Sequence, residues 1–281
     1  MILLNLILTF TQIALETLPI SSTAHVLIVK KFFNNFISDQ GLFSEYFFKL
    51  CNIPTLFVLL LYFKDDLRFI DEQNKKDSFL KFFKLVLFGI VSCSVTAIFY
   101  FILKINFLDR QFIGTSPLFL AIALLISSLL LFSTKFIYSK NEIFSKTTLF
   151  PEINLQKSIL IGLAQSMSLI PGISRFVSTY TACRWLGNNG AQSFRFSFLM
   201  HSSLSIGLII KMIAFDKIKI EMITDKRLIL TLLITSIFAM IISWFFLKLS
   251  GNLANKNNLW KFTFYYPIPI ILIALLTKFR L

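Results

Sequence analysis

Apolar sequence recurs along this chain in runs long enough to cross a lipid bilayer, and that feature removes most folds from consideration. The runs cover 79–105, 116–138, 196–215, 228–247 and 262–276, with a shorter one at 50–63. A bilayer core takes roughly 20 apolar residues of helix. Lipid offers no partner to backbone N–H and C=O groups, so a run placed there satisfies them within its own helix. The expectation is an all-α fold, a polytopic membrane helix bundle with about six full spans. Composition agrees: 281 residues that are 56% hydrophobic, with a mean hydropathy of +0.76, leave too little polar sequence to cover a soluble domain.

The formal net charge of +14 raises the question of an anionic partner. Basic residues fall between the apolar runs, as at 64–84 and 211–227, where anionic lipid head groups lie. No soluble nucleic-acid-binding module accompanies them, so nucleic acid is not expected as a partner. Segments 64–84 and 135–157 hold six and four Lys/Arg, against Lys104 and Arg110 between them, which favours the former as cytoplasmic; five within 211–227 count against that orientation. Cys51, Cys93 and Cys183 are odd in number and lack metal-like spacing, and read as small buried hydrophobes. The apolar N-terminus lacks a basic n-region, and Glu16 and Pro19 stand where a small-residue cleavage site would be needed, so it is expected to be retained. No Pro-, Gly- or Ser-rich linker divides the chain, which reads as a single membrane domain, 1–281.

Two polar strings interrupt the apolar pattern: Gln12-Ile-Ala-Leu-Glu16-Thr-Leu-Pro19-Ile-Ser21-Ser22-Thr23-Ala-His25 and Gln165-Ser-Met-Ser-Leu-Ile-Pro171-Gly172-Ile-Ser174-Arg175. Each follows an apolar run too short or too interrupted to cross, 2–18 and 158–170, and each contains a proline. Proline donates no backbone N–H and disfavours helix in the residue before it, so each helix should break there and restart beyond. Broken segments in corresponding halves are the pattern of re-entrant half-helix hairpins in an internally repeated membrane fold. Three spans between the hairpins would make it an inverted repeat, the first half roughly 1–110 and the second roughly 111–281.

Polar groups at membrane depth are costly and point to function. Gln12 and Glu16 are four apart, share a helix face and can address one ion or ligand. Ser21, Ser22 and Thr23 follow the break at Pro19; capping the next half-helix accounts for one hydroxyl, not for three plus His25. Ser174 and Arg175 open another half-helix, where free N–H groups and the dipole attract phosphate and a guanidinium offers a bidentate fork. Ser178 and Thr179 lie one turn on. For Gln165 a structural role in the hairpin is the better reading, and His201, inside an apolar run, reads as a satisfied core histidine.

With these residues in place the chain resembles the undecaprenyl-diphosphatase family, bacterial enzymes associated with bacitracin resistance. Gln12, Glu16, Pro19, Ser21, Ser22 and His25 fit that family's first motif, and Pro171, Gly172, Ser174, Arg175 and Thr179 its second. Ile161-Gly-Leu-Ala-Gln165, Leu186-Gly187 and Phe196-Ser-Phe-Leu199 match in order, so the resemblance spans most of the chain. It implies a hydrolase that converts undecaprenyl diphosphate to undecaprenyl phosphate and inorganic phosphate, recycling the lipid carrier of cell-wall synthesis. It also implies a divalent cation, Mg or Ca, and a site facing the periplasmic side of the bacterial inner membrane, and it is compatible with a homodimer.

The expected roles follow. Catalytic: Glu16, Ser22, His25 and Arg175; substrate-binding: Ser21, Thr23, Ser174, Ser178 and Thr179; metal-binding: Gln12 and Glu16. Arg175 and the helix ends stabilise developing charge. A Ser hydroxyl, Ser22 for preference, or a water attacks phosphorus, with His25 moving the proton.

The chain departs from the pattern at Phe176-Val177, where the family has Ser-Gly, at Ala24, at Ser203, and at Phe48, Asn52 and Pro54, aligned with a Glu and Gln followed by Gly. A second reading is therefore a non-catalytic polyprenyl-diphosphate binder or carrier that retains the pocket, which the bulk of Phe176-Val177 favours. A third is an unrelated secondary transporter, for which broken helices are equally expected. The membrane lipid phosphatases with a His nucleophile fit poorly, since Thr181 stands six residues after Arg175 where their pattern has His.

Overall fold

The computed structural model describes residues 2–32, 51–64, 75–106, 116–137, 153–214 and 226–278. Among these the regular structure is helical: α1 (Ile2–Glu16), α2 (Ser22–Phe32), α3 (Asn52–Tyr62), α4 (Lys75–Asn106), α5 (Pro117–Ser133), α6 (Leu155–Ser166), α7 (Arg175–Trp185), α8 (Gly190–Ala214), α9 (Lys226–Asn255) and α10 (Pro267–Lys278).

Helix lengths sort these elements. Three stretches are long and apolar enough to cross a membrane, Phe83–Leu103, Pro117–Phe136 and Leu233–Asn255, while Leu6–Glu16, Asn52–Tyr62 and Leu259–Leu275 are apolar but shorter. Sequence leads to more full spans than these. The run 262–276 is divided, because a 3₁₀ turn over Leu259–Tyr265 precedes Pro267 and the α-helix starts only there. The described part of the run 196–215 lies within α8, whose 25 residues carry buried Gln192, Ser193, Ser197, His201 and Ser205 toward the interior.

Both predicted breaks occur. α1 stops at Glu16 and α2 begins at Ser22, so Pro19 lies in the turn between them. α6 ends in a 3₁₀ turn, Met167–Leu169, and the chain reverses at Gly172, whose φ of 103° only glycine adopts without strain. A β-carbon there would stand 2.7 Å from Cβ of Ala123. Helices α2 and α7, of 11 residues each, reach about 16 Å at 1.5 Å per residue, roughly half the bilayer core.

Packing places these half-helices inside the bundle. α1 lies along α9 and α6 along α4, the two most extensive helix contacts. Each is pinned by hydroxyls of the long helix that donate to carbonyls of the short one: Ser243 to Ile13 O at 2.9 Å, Ser92 to Ser158 O at 2.7 Å and Thr96 to Gly162 O at 3.2 Å. Gly162 permits the second approach, since a β-carbon would meet Ser92 O at 2.6 Å. Large apolar side chains such as Leu87, Ile98, Leu125, Ile237 and Phe245 face outward from α4, α5 and α9, where lipid would cover them.

α7 inverts that pattern. Its residues from Phe176 to Arg184 are all buried although Ser178, Thr179, Thr181 and Arg184 are among them. Each finds a partner in the backbone: Ser178 and Thr179 donate to Arg175 O, Thr181 to Leu130 O, and Arg184 to Asn188 O and Ile137 O. This is the arrangement that low-dielectric burial demands of polar groups.

Candidate functional site

The two turns meet. The Ser174 hydroxyl donates to Ile20 O at 3.3 Å, joining the second hairpin directly to the first. Ser127 of α5 braces the second turn, accepting from Ser174 N at 3.0 Å and donating to Gly172 O at 3.3 Å. Tyr266 braces the first, donating to Pro19 O at 3.0 Å. Both half-helices are capped by serine: Ser21 Oγ accepts from Ala24 N at 3.3 Å and Ser174 Oγ from Val177 N at 3.4 Å. Two helix N-termini, the positive ends of their dipoles, thus converge on one place.

A pocket of ≈ 300 Å³ lies there. Of the residues singled out from sequence, Gln12, Glu16, Ser21, Ser22, Thr23, Ser174 and Arg175 line it. The remaining three do not. Ser178 and Thr179 are buried one turn along α7, their hydroxyls committed to carbonyls of that helix, so they hold its first turn in place. His25 sits behind the first half-helix: its Nδ1 is 2.6 Å from Ser21 O and its Nε2 is 2.9 Å from the hydroxyl of Tyr265. A carbonyl only accepts, so Nδ1 carries the proton and Nε2 takes the Tyr265 hydroxyl hydrogen.

Sequence reasoning missed other lining residues, among them Asn52, Ser168 and His201. His201 is no ordinary core histidine: its Nδ1 lies 3.3 Å from an Arg175 Nη and its Nε2 3.5 Å from a Glu16 oxygen. The only sequence signal was an imidazole in an apolar run. Asn52 stood among the departures from the family pattern, and Phe48 beside it falls outside the described residues. Phe176 lines the pocket too, but its ring is seated among Phe198, Tyr180 and Phe194, with centroids 4.7, 5.7 and 5.7 Å away. Val177 is fully buried in the adjoining core.

Glu16 is the pocket's carboxylate. Thr55 donates to it at 3.2 Å, the Gln12 amide hydrogen-bonds it, and Arg175 acts on it electrostatically. Among the described residues no three His, Cys, Asp or Glu side chains gather as a metal cage. One carboxylate with the amide oxygens of Gln12 and Asn52 is instead a partial set of hard oxygen donors. It fits Mg²⁺ or Ca²⁺ when a ligand's phosphate oxygens complete the shell. The site therefore presents a guanidinium and two helix N-termini to an anion, with an oxygen-rich wall beside them.

Comparison with known proteins agrees. Residues 5–272 match the family model described as bacitracin resistance protein BacA. The chain is 28% identical over 281 residues to an undecaprenyl-diphosphatase of Oceanobacillus iheyensis, covering 96% of this chain and 94% of the relative. It is 25% identical over 276 residues to one of Elusimicrobium minutum, covering 96% and 97%, and 28% identical over 284 residues to undecaprenyl-diphosphatase 2 of Bacillus thuringiensis, covering 96% of each.

Proposed function

The chain belongs to the bacitracin resistance protein BacA family, and on that footing we propose that it is a membrane-integral hydrolase. It dephosphorylates undecaprenyl diphosphate to undecaprenyl phosphate, returning the lipid carrier to cell-wall synthesis. One observation of this chain carries the reading: Glu16 and Arg175, from hairpins about 160 residues apart, face one pocket at the meeting point of two serine-capped helix starts.

Hydrolysis breaks the bond between the terminal phosphorus and the bridging oxygen, and the attacking oxygen takes that place on phosphorus. Negative charge grows on the bridging oxygen as it leaves. Arg175 and the free N–H groups of α2 and α7 are positioned to stabilise it. Ser22, at the pocket wall, is the hydroxyl we assign to the attack. Its oxygen bonds the terminal phosphorus as the bridging bond breaks, its proton passes to the departing lipid phosphate, and a water then displaces the serine oxygen to release inorganic phosphate. Ser21 and Ser174 are occupied as caps. Gln12, Glu16 and Asn52 would hold a divalent cation, which when bound draws charge from the phosphate oxygens. His25 works from behind, fixing Ser21 O and with it the first turn of α2.

The finer architecture belongs to the same proposal. α1–α2 and α6–α7 are re-entrant hairpins of two repeats, roughly 1–110 and 111–281, and α3, α4 and α5 between them invert the second. The reciprocal packing of α1 on α9 and α6 on α4 supports this, each hairpin lying on a long helix of the other half. With the short apolar helices spanning together with their neighbours, the count rises to about six. The pocket then opens to the periplasmic side of the inner membrane, anionic lipids surround the basic loops, and a homodimer is compatible with the outward apolar faces.

Purified protein in detergent, given undecaprenyl diphosphate with and without chelator, tests the activity. Phosphate release should require the cation. Arg175→Ala and Glu16→Ala should each lower it by about a hundredfold or more. Near-native rates in both folded variants would show that this pocket is not the active site. Tight binding of the lipid diphosphate without phosphate release would establish the non-catalytic binder instead.

A further inference from the structure

His201 projects from α8 to the floor of the pocket, with its side chain 9% exposed. It stands between the two charged groups of the site, Nδ1 at 3.3 Å from the Arg175 guanidinium and Nε2 at 3.5 Å from the Glu16 carboxylate. A guanidinium has donors only, so Nδ1 must be the acceptor of that contact. The ring hydrogen then resides on Nε2, which has no hydrogen-bond partner among the described residues and faces the carboxylate at 3.5 Å. A doubly protonated ring would set two N–H donors against each other at Nδ1.

We propose, resting on the phosphatase reading above, that His201 is a positioning residue. Its ε-protonated tautomer holds the Arg175 guanidinium at a fixed angle and keeps Glu16 apart from it. The reasoning turns on competition. A buried carboxylate and guanidinium sharing one pocket tend to close into a bidentate pair, which would occupy both the phosphate-binding fork and the cation-binding oxygens. An imidazole between them satisfies one N–H of Arg175 and approaches one oxygen of Glu16. The other N–H groups stay directed at phosphate, and the carboxylate is kept out of a guanidinium pair. With its acceptor nitrogen taken by Arg175, His201 is not the base of the reaction. Thr55 holds the far oxygen of Glu16 at 3.2 Å, so the carboxylate is fixed from both sides.

Three variants and one spectrum test this. His201→Leu fills the space but offers no acceptor; His201→Asn places an oxygen near the position of Nδ1. Loss of a fixed guanidinium angle should lower kcat for His201→Leu by about thirtyfold to a hundredfold with little change in KM, since a displacement of about 1 Å costs on that order. His201→Asn should recover to within about fivefold of wild type despite its smaller volume. A side chain that merely packs would give the opposite order, Leu near native and Asn worse, and that result overturns the proposal. Melting temperature is measured on each variant.

The spectrum does not depend on turnover. The chain has two histidines, so nitrogen-15 histidine labelling gives two imidazoles, and the one missing from His201→Asn is His201. It should show a protonated Nε2 and an unprotonated Nδ1, and Arg175→Met should abolish that single-tautomer signature. A protonated Nδ1, or no response to Arg175→Met, refutes the proposal even in active protein. A wild-type protein that shows the expected tautomer but releases no phosphate refutes the phosphatase reading alone.

Discussion

Phe176 is where bulk replaces a smaller residue beside the phosphate-facing arginine, and the structure determines what its removal would do. The ring is 7% exposed and touches Phe198, Tyr180 and Phe194. Those neighbours are protein rather than lipid, so truncation opens a cavity instead of exchanging one apolar medium for another. Truncating a packed phenylalanine costs about 3–5 kcal/mol. At roughly 2–4 °C per kcal/mol for chains of a few hundred residues, Phe176→Ser should lower Tm by roughly 6–20 °C. Adding Val177→Gly removes a fully buried side chain, about 1.5–3 kcal/mol, and puts glycine in a helix, about 1 kcal/mol. The sum, about 6–9 kcal/mol, approaches the total stability of many proteins, so the single change is the usable experiment. Phosphate release per folded molecule should stay level or fall, because the aromatic cluster also positions the start of α7 and with it Arg175. The assay pairs thermal unfolding in detergent with initial rates at saturating undecaprenyl diphosphate. An unchanged Tm with a rate several times higher would refute the reasoning and show that the ring obstructs the site.

Other outcomes follow from the same geometry. Ser22→Ala should abolish turnover, by more than about a thousandfold, with Tm unchanged, whereas Ser21→Ala should lose a helix cap worth about 1 kcal/mol; a near-native rate for Ser22→Ala would assign the attack to water. Gly172→Ala should destabilise by about 2–6 kcal/mol, the sum of a strained positive φ and a β-carbon 2.7 Å from Ala123, read as a fall in Tm; unchanged stability would show that the turn relaxes. Tyr265→Phe removes the 2.9 Å bond to His25 and should lower stability by about 1 kcal/mol while changing the rate less than about fivefold. A loss of rate comparable with that of Arg175→Ala would put His25 in the chemistry itself.

What was legible in the sequence is what is decided locally. Pro19, Pro171 and Gly172 act on the backbone within a residue or two, and both breaks fall where their chemistry requires. Ser21 and Ser174 cap their helices because a short hydroxyl side chain reaches the N–H three residues on. Gln12 and Glu16 share a face by helical period alone. What escaped depends on partners far along the chain. Nothing near His201 announces that α8 will carry it between Glu16 and Arg175. Nothing near Asn52 or Thr55 shows that α3 will present them to the end of α1. His25 illustrates both cases: its place in the first motif was plain, but the direction of its ring is set by Tyr265, 240 positions away. Apolar length alone does not show the turns and buried polar faces that divide a run, in α8 and around Pro267.

The partners of the buried polar groups on α7 and at the turns mark them as scaffold. On α7 the hydroxyls of Ser178, Thr179 and Thr181 and the guanidinium of Arg184 end on carbonyls of the protein, and their burial is thereby offset. Ser127 and Tyr266 are spent likewise on the turns of the hairpins. Around the pocket the account is left open: part of the Arg175 fork and the starts of two helices face the same cavity, with the Glu16 carboxylate beside them. Buried charged groups with open hydrogen-bonding capacity are tolerable only if something of complementary charge completes them. On the proposed function a diphosphate with its counter-cation would do so, bringing oxygens to the guanidinium and N–H groups and a positive charge to the carboxylate. The specificity of the site for such a ligand thus rests on what the fold declines to pair internally, and His201 is the side chain that keeps it unpaired.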